Sequence, residues 1–339
     1  MNGLEVDDRM SGNGNIHSRA LQVELRSHLG VLQYPLSERI AVIFAEEMTS
    51  GTPLPGEWRL LQSFPVAKRL ITAVNSLAFF GDEVSHDPAF LKAALDYPED
   101  LMVTAEALHF IPTCLASFAA PRLMGRYEAS RILVNRLTPL VEQRLRCAYL
   151  AETDTDSSSK PLDCIQFFVD ASMRKRSKES WSAQKIVQAL LGVWFASVHQ
   201  PSMSLVYALD DLCFHPEYID LLRDEISTGI CEGRDLDSLP LLDSFLKESA
   251  RLNPSDSISV RRKVLQPFTF GDGTRLMQND VACIPLQPIL RDPNTYQNPL
   301  EFDAFRFLRD TTVTGSKSTS RFTDSNAQFP LWGLGKRTW

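Results

Sequence analysis

No stretch of this chain reaches about 18 uninterrupted apolar residues, the length a helix needs to cross a hydrocarbon core. The opening MNGLEVDDRMSGNGN is polar and has neither the order of a signal peptide nor that of a membrane anchor. As written, the chain reads as cytoplasmic, with at most a peripheral membrane contact. A basic block is also missing, since 35 Lys and Arg stand against 42 Asp and Glu for a formal charge of -7. Nucleic-acid affinity rests on neutralising phosphates, so nucleic acid is excluded as a partner. No CxxC pair occurs among Cys114, Cys147, Cys164, Cys213, Cys231 and Cys283, and four of these lie in apolar surroundings. They read as reduced, mostly structural thiols, because a six-cysteine disulfide framework belongs to much shorter chains. No internal repeat is present.

What is present suits a folded body. With 44% hydrophobic and 23% charged residues over 339 positions, the chain has apolar material for one large core or two modest ones. Residues 1–15 read as disordered. Helical spacing then covers Ser18 to about His28, Leu36 to Met48, and Trp58 to about Phe80, the last closed by Gly81. It continues through 87–96 and 99–118, with Pro112 as a break, and through 121–150. The run at 154–160 reads as a flexible connection. From Ser182, a plausible N-cap, to about Leu212 the chain is apolar on nearly every side, which marks a buried central helix on the order of 45 Å long. Two more helices follow, from His215 to about Ser227 and from about Leu239 to Leu252. Residues 257–285 alternate like short strands around a Gly-Asp-Gly turn at 271–273, with short helical turns after Pro285. The fold class expected is mainly α with a small β portion, α+β in type. One domain is expected over 16–339, with a helical body to about 254, a β portion to 308, a mobile loop at 309–328 and a terminal loop from 329.

Three groups of residues carry chemistry. Glu248 and Arg251, in KESAR, share one face of a helix, a spacing that by itself is commonly a surface ion pair. Arg306 lies among Phe302, Phe305 and Phe307; a guanidinium among aromatics is often buried and then needs carboxylates, so the three are expected to form one buried network. In the tail FPLWGLGKRTW, Gly333 and Gly335 permit a tight turn against a flat partner. Its GLGK segment resembles a phosphate loop only weakly, because no strand precedes it and no helix follows. Inside the long helix, Pro201 lacks an N–H. The carbonyl of Ser197 therefore loses its helical donor and the helix is expected to bend and open, as an oxygen or water site or as a packing kink with a satisfied histidine.

In this order and spacing the three groups resemble the Glu-x-x-Arg helix, the aromatic-arginine segment and the haem loop of the cytochrome P-450 family. GEWRLLQSFPVAKRLITAVNSLAFFG and ASVHQPSMSLVYALDDLCFHPEYIDLLRDEI are similar to filamentous-fungal members that oxidise secondary metabolites. The resemblance implies an incomplete P-450-like fold, haem b as cofactor, a lipophilic substrate of terpenoid type and an NADPH-cytochrome reductase as electron donor. It implies that Ala196 to Gln200 face bound oxygen, with His199 in place of the family's acid, Gln200 in place of its threonine, and Ser197 beside them. Haem contacts are expected from Phe329, Gly333, Gly335, Arg337 and His17. Full-length relatives are expected at the endoplasmic reticulum membrane.

The same alignment places the iron-ligand cysteine at position 339, where this sequence has Trp339. Indole is a donor only and cannot ligate iron, so no metal ligand is expected from this chain. No other cysteine lies in a comparable Gly-rich loop. The family's anchor, first helices and first strands are expected before residue 1, and its proximal helix after the cysteine. The alternative reading is a catalytically inactive, haem-free remnant or interaction protein.

Overall fold

A computed structural model describes residues 16–49, 60–151, 160–174, 181–234, 238–309 and 321–334. The expected disordered start at 1–15 and most of the connection at 154–160 lie outside the described residues. The chain divides into two compact units, residues 1–202 and 203–339.

The first unit is helical throughout its described residues. A short helix α1 (Ile16–Ser18) passes through a π-helical segment, Arg19–Leu25, into α2 (Arg26–Thr49). Then come α3 (Ser63–Phe80), α4 (Asp82–Ser85), α5 (Pro88–His109) and α6 (Thr113–Leu123). A 3-10 turn at Gly125–Tyr127 leads to α7 (Glu128–Ala151), followed by α8 (Cys164–Arg174) and α9 (Ala183–Phe214). The core of the unit is built on Trp194 of α9, which is fully buried. Its ring lies 4.7 Å from Phe80 and 5.4 Å from Phe79, and its Nε1 donates to the Ala94 carbonyl at 2.8 Å. A buried indole thus keeps its one donor satisfied while its body packs. Ser182 does cap α9, its Oγ accepting from the Lys185 N–H at 3.3 Å.

Two departures from the sequence expectation concern helices of this unit. The helix does not break between His28 and Leu36: α2 runs through Gly30 and Pro35. Ser37 Oγ bonds the Gln33 carbonyl beside that proline at 2.8 Å. Helix α8, eleven residues long, is not anticipated.

The second unit holds α10 (Glu217–Cys231), α11 (Pro240–Leu252), α12 (Leu286–Leu290) and α13 (Arg306–Arg309). Strand β1 (Ile258–Lys263) pairs antiparallel with β4 (Val281–Pro285), and β2 (Phe268–Thr269) pairs with β3 (Arg275–Leu276) around the Gly271–Gly273 turn. One cluster packs Ala250, Leu286, Leu290, Tyr296, Phe307 and Phe329; another packs Ala208, Leu222, Leu241, Phe245 and Ala304. The architecture is helix-dominated with small antiparallel pieces, as the α+β expectation has it. Residues 310–320 of the expected loop lie outside the described residues, whereas 321–328 form hydrogen-bonded turns.

Candidate functional site

In the second unit, α11 presents Glu248 and Arg251 to the interior, both side chains fully buried. Arg251 Nε and Nη2 donate to the two Glu248 oxygens at 2.7 and 2.8 Å. Arg306, at the start of α13, adds its Nε to the same carboxylate at 3.0 Å to each oxygen, and the Asp303 N–H donates at 3.1 Å. The remaining guanidinium donors find carbonyls: Arg251 Nη1 those of Leu290 and Pro299 at 2.8 and 2.7 Å, Arg306 Nη1 that of Gln297 at 2.6 Å. Two cations on one carboxylate would be untenable without these oxygens. The three residues named from sequence are therefore brought together, and the carbonyls of Leu290, Gln297, Pro299 and Glu301 are bonded to the two guanidinium groups.

Lys247 was not singled out in the sequence. It is fully buried, with Nζ donating to the Arg321 and Asp324 carbonyls at 2.9 and 3.0 Å. The same ammonium stands 4.7 Å from the Phe329 ring and 5.1 Å from the Phe307 ring. A lysine on a helix reads as solvated, and nothing in the spacing of KESAR shows that loop 321–334 covers it. That loop is held further by Ser325 Oγ, which bonds the Phe329 and Gly333 carbonyls at 3.0 and 2.7 Å, and by Trp332 Nε1 on the Phe322 carbonyl at 2.9 Å. Gly333 has φ +82°, the left-handed region that its turn requires. The Phe329 ring packs edge-on against Phe307 in the unit's own core. Gly335, Arg337 and Trp339 lie outside the described residues.

In the first unit, the opened turn of α9 has a specific environment. The Ser197 carbonyl, deprived of its helical donor by Pro201, accepts from Asn75 Nδ2 of α3 at 2.7 Å. Ser197 Oγ bonds back to the Val193 carbonyl at 3.0 Å and Ser202 Oγ to that of Val198 at 2.7 Å. His199 and Gln200 are half-buried, and Nε2 of His199 is shielded from solvent without a hydrogen-bond partner among the described residues. Burial pushes the imidazole below its usual range, and Lys68 adds to this while Glu99 opposes it. Lys68 and Glu99 pair at 2.8 Å. His17 sits with its ring edge against Phe168, 5.4 Å between centroids.

Among the described residues no group of three or more His, Cys, Asp or Glu is placed to hold a metal. Position 339, where the resemblance sets the iron ligand, carries an indole instead of a thiolate.

Comparison with known proteins places the chain. A profile described as Cytochrome P450 matches residues 30–337. The cytochrome P450 monooxygenase janP of Penicillium janthinellum is 30% identical over 334 residues, covering 96% of this chain and 62% of the relative. The monooxygenase ptmP of Penicillium ochrochloron is 34% identical over 290 residues, covering 81% of this chain and 61% of the relative. The chain thus spans about 62% of the length of janP. Among solved structures, a cyanobacterial P450, CYP120A1 with retinoic acid bound, superposes with a TM-score of 0.68 at 18% identity, covering 96% of this chain and 67% of that one. A zebrafish cytochrome P450 with progesterone gives 0.66 at 19% identity, covering 96% and 68%. The match runs through both units and includes the buried Glu248–Arg251–Arg306 network, and the chain belongs to the cytochrome P450 family.

Proposed function

We propose that the protein of which these residues form the greater part is a monooxygenase of a fungal secondary-metabolite pathway. Its substrate is a lipophilic, terpenoid-type compound, and its electrons come from an NADPH-cytochrome reductase. The observation that carries this reading is the network in which Arg251 and Arg306 share the buried carboxylate of Glu248. Such an arrangement fixes α11 against the coil at 290–303. Similarity to janP and ptmP supports the pathway class. In the first unit, His199, Gln200 and Ser197 are proposed to hold protons and water at the turn opened by Pro201. The shielded, unpaired Nε2 of His199 suits a proton acceptor that is neutral near pH 7. A cysteine thiolate on haem iron would supply the electron push that favours O–O cleavage, and that is the donor position 339 lacks.

Trp339 favours a second reading, a haem-free relative with no turnover by the family's route. One experiment separates the two. The transcript is read through codon 339, its full product is expressed, and the reduced, CO-treated protein is examined for a thiolate-type Soret shift. A cysteine at the ligand position and that shift support the monooxygenase. A transcript that retains tryptophan there, with no stoichiometric haem in the product, leaves the haem-free relative.

A further inference from the structure

A proline inside a helix leaves an acceptor without its donor, and the cost falls on whatever surrounds it. In α9 that acceptor is the Ser197 carbonyl. Its neighbours on the same helix do not relieve it, because the Ser197 and Ser202 hydroxyls are directed to the carbonyls of Val193 and Val198. The donor comes from another helix: Asn75 Nδ2 of α3, at 2.7 Å and 122 residues away in sequence. Asn75 itself is half-buried, in a helix whose residues from Thr72 to Val74 and from Ala78 to Phe80 are in the interior. A half-buried amide that donates to a backbone atom, and to the one atom that a proline has orphaned, is placed by complementarity and not by general packing.

The residues that follow depend on this bond. Ser197 begins the turn that carries His199 and Gln200, so the direction of its carbonyl sets the orientation of the peptide planes leading to them. His199 lies two residues on, with Nε2 shielded and without a partner among the described residues, in the field of the Lys68–Glu99 pair on α3 and α5. We propose that Asn75 is the positioning residue of the opened turn, standing in for the N–H that Pro201 lacks and so fixing where His199 and Gln200 point. The functional meaning of that turn rests on the monooxygenase reading, but the bond itself does not.

A double-mutant cycle on the full 339-residue chain tests this without haem or substrate. Asn75→Asp keeps the shape and removes the donor; Asn75→Leu removes it with an apolar group; Pro201→Ala returns a backbone N–H to the Ser197 carbonyl. Two quantities are read: the folding equilibrium in urea, and the titration midpoint of His199 by NMR, assigned by its loss in His199→Gln. With Pro201 in place, Asn75→Leu is expected to lower the folding constant by about tenfold or more, the effect of an orphaned buried carbonyl. It is also expected to move the His199 midpoint up, toward that of a solvated imidazole. In the Pro201→Ala background the same substitution is expected to lower the folding constant by only about twofold, because the new N–H takes the bond. Equal losses in both backgrounds, or a His199 midpoint unmoved by Asn75→Asp and Asn75→Leu alike, overturn the proposal. Where a single Asn75 variant does not fold, a folded Asn75→Leu/Pro201→Ala chain supports it and an unfolded one overturns it. Since the cycle holds no haem, its failure and the failure of the CO test are separate events.

Discussion

Glu248 carries more of the second unit than any other single charge. Both of its oxygens accept from Arg251 and Arg306, and a backbone N–H joins them. Glu248→Gln removes the charge and turns one acceptor into a donor facing guanidinium groups. Breaking a buried pair from one side leaves an uncompensated cation, so a loss of about 3–5 kcal/mol is expected in urea titration. An Arg306→Lys variant is expected to lose less in charge but to lose the bonds to the Gln297 and Glu301 carbonyls, since an ammonium cannot reproduce the fork. His199 gives a pH signature. Its folded-state pKa lies below its unfolded value, so folding favours the neutral ring. The stability it contributes is present above the ordinary 6.5 and is lost as pH falls through the lowered folded value. His199→Gln should remove that part of the acid slope in stability measured between pH 7 and 4, and an unchanged slope would show that the ring is not held neutral. At this scale the sequence is informative where spacing encodes contact. Glu248 and Arg251 are one helical turn apart, and Arg306 announces itself by its aromatic flanks. Asn75 and Lys247 are unreadable, because an amide and a lysine on amphipathic helices carry no sign of partners 122 and more than 70 residues away.

Between helices, the junction at Gly81 shows why some boundaries are sharp. Gly81 ends α3 with φ +79° and ψ 176°, donating its N–H to the Leu77 carbonyl. That conformation is essentially reserved for glycine. A β-carbon there would also meet the Asp163 carboxylate, which Arg144 of α7 binds at 2.5 Å in the interior. Gly81→Ala therefore strains the backbone by about 1–3 kcal/mol and displaces half of a buried ion pair as well. A fall in Tm of several degrees is expected in thermal denaturation, and a variant that melts with the wild type would show that Asp163 has room to yield. The sequence marks Gly81 as the helix end because a glycine follows a long apolar periodic run. It does not reveal α8 or the continuity of α2. In the first case an eleven-residue helix offers only about three turns in which to read a period; in the second, α2 continues through Gly30 and Pro35, which have the signature of a break.

Across the whole molecule, the fold treats the thiols unequally. The six cysteines, which form no paired motif, are all free in the structure, but with five of them exposed the expectation of mostly structural thiols does not hold. Their accessibility is not uniform: Cys114, Cys147, Cys213, Cys231 and Cys283 are exposed, while Cys164 is buried in the core of the first unit. Burial raises the Cys164 thiol far above its ordinary range, with the Asp163 carboxylate beside it adding to the shift. A thiol held protonated and shielded does not present the nucleophilic thiolate. Titration of the native chain with a disulfide reagent at pH 8 should therefore proceed in two steps. Five equivalents should react promptly and the sixth only at the rate at which the first unit opens, becoming prompt in denaturant. Six prompt equivalents would mean that α8 is not packed as described, and would remove the support that Asp163 and Gly81 share with it. Fewer than five prompt equivalents would mean disulfides or a bound group among the exposed cysteines. The slow thiol also serves as a local stability gauge: Gly81→Ala, which disturbs Asp163 next to Cys164 in sequence, should speed its reaction, whereas Glu248→Gln, in the other unit, should leave it unchanged.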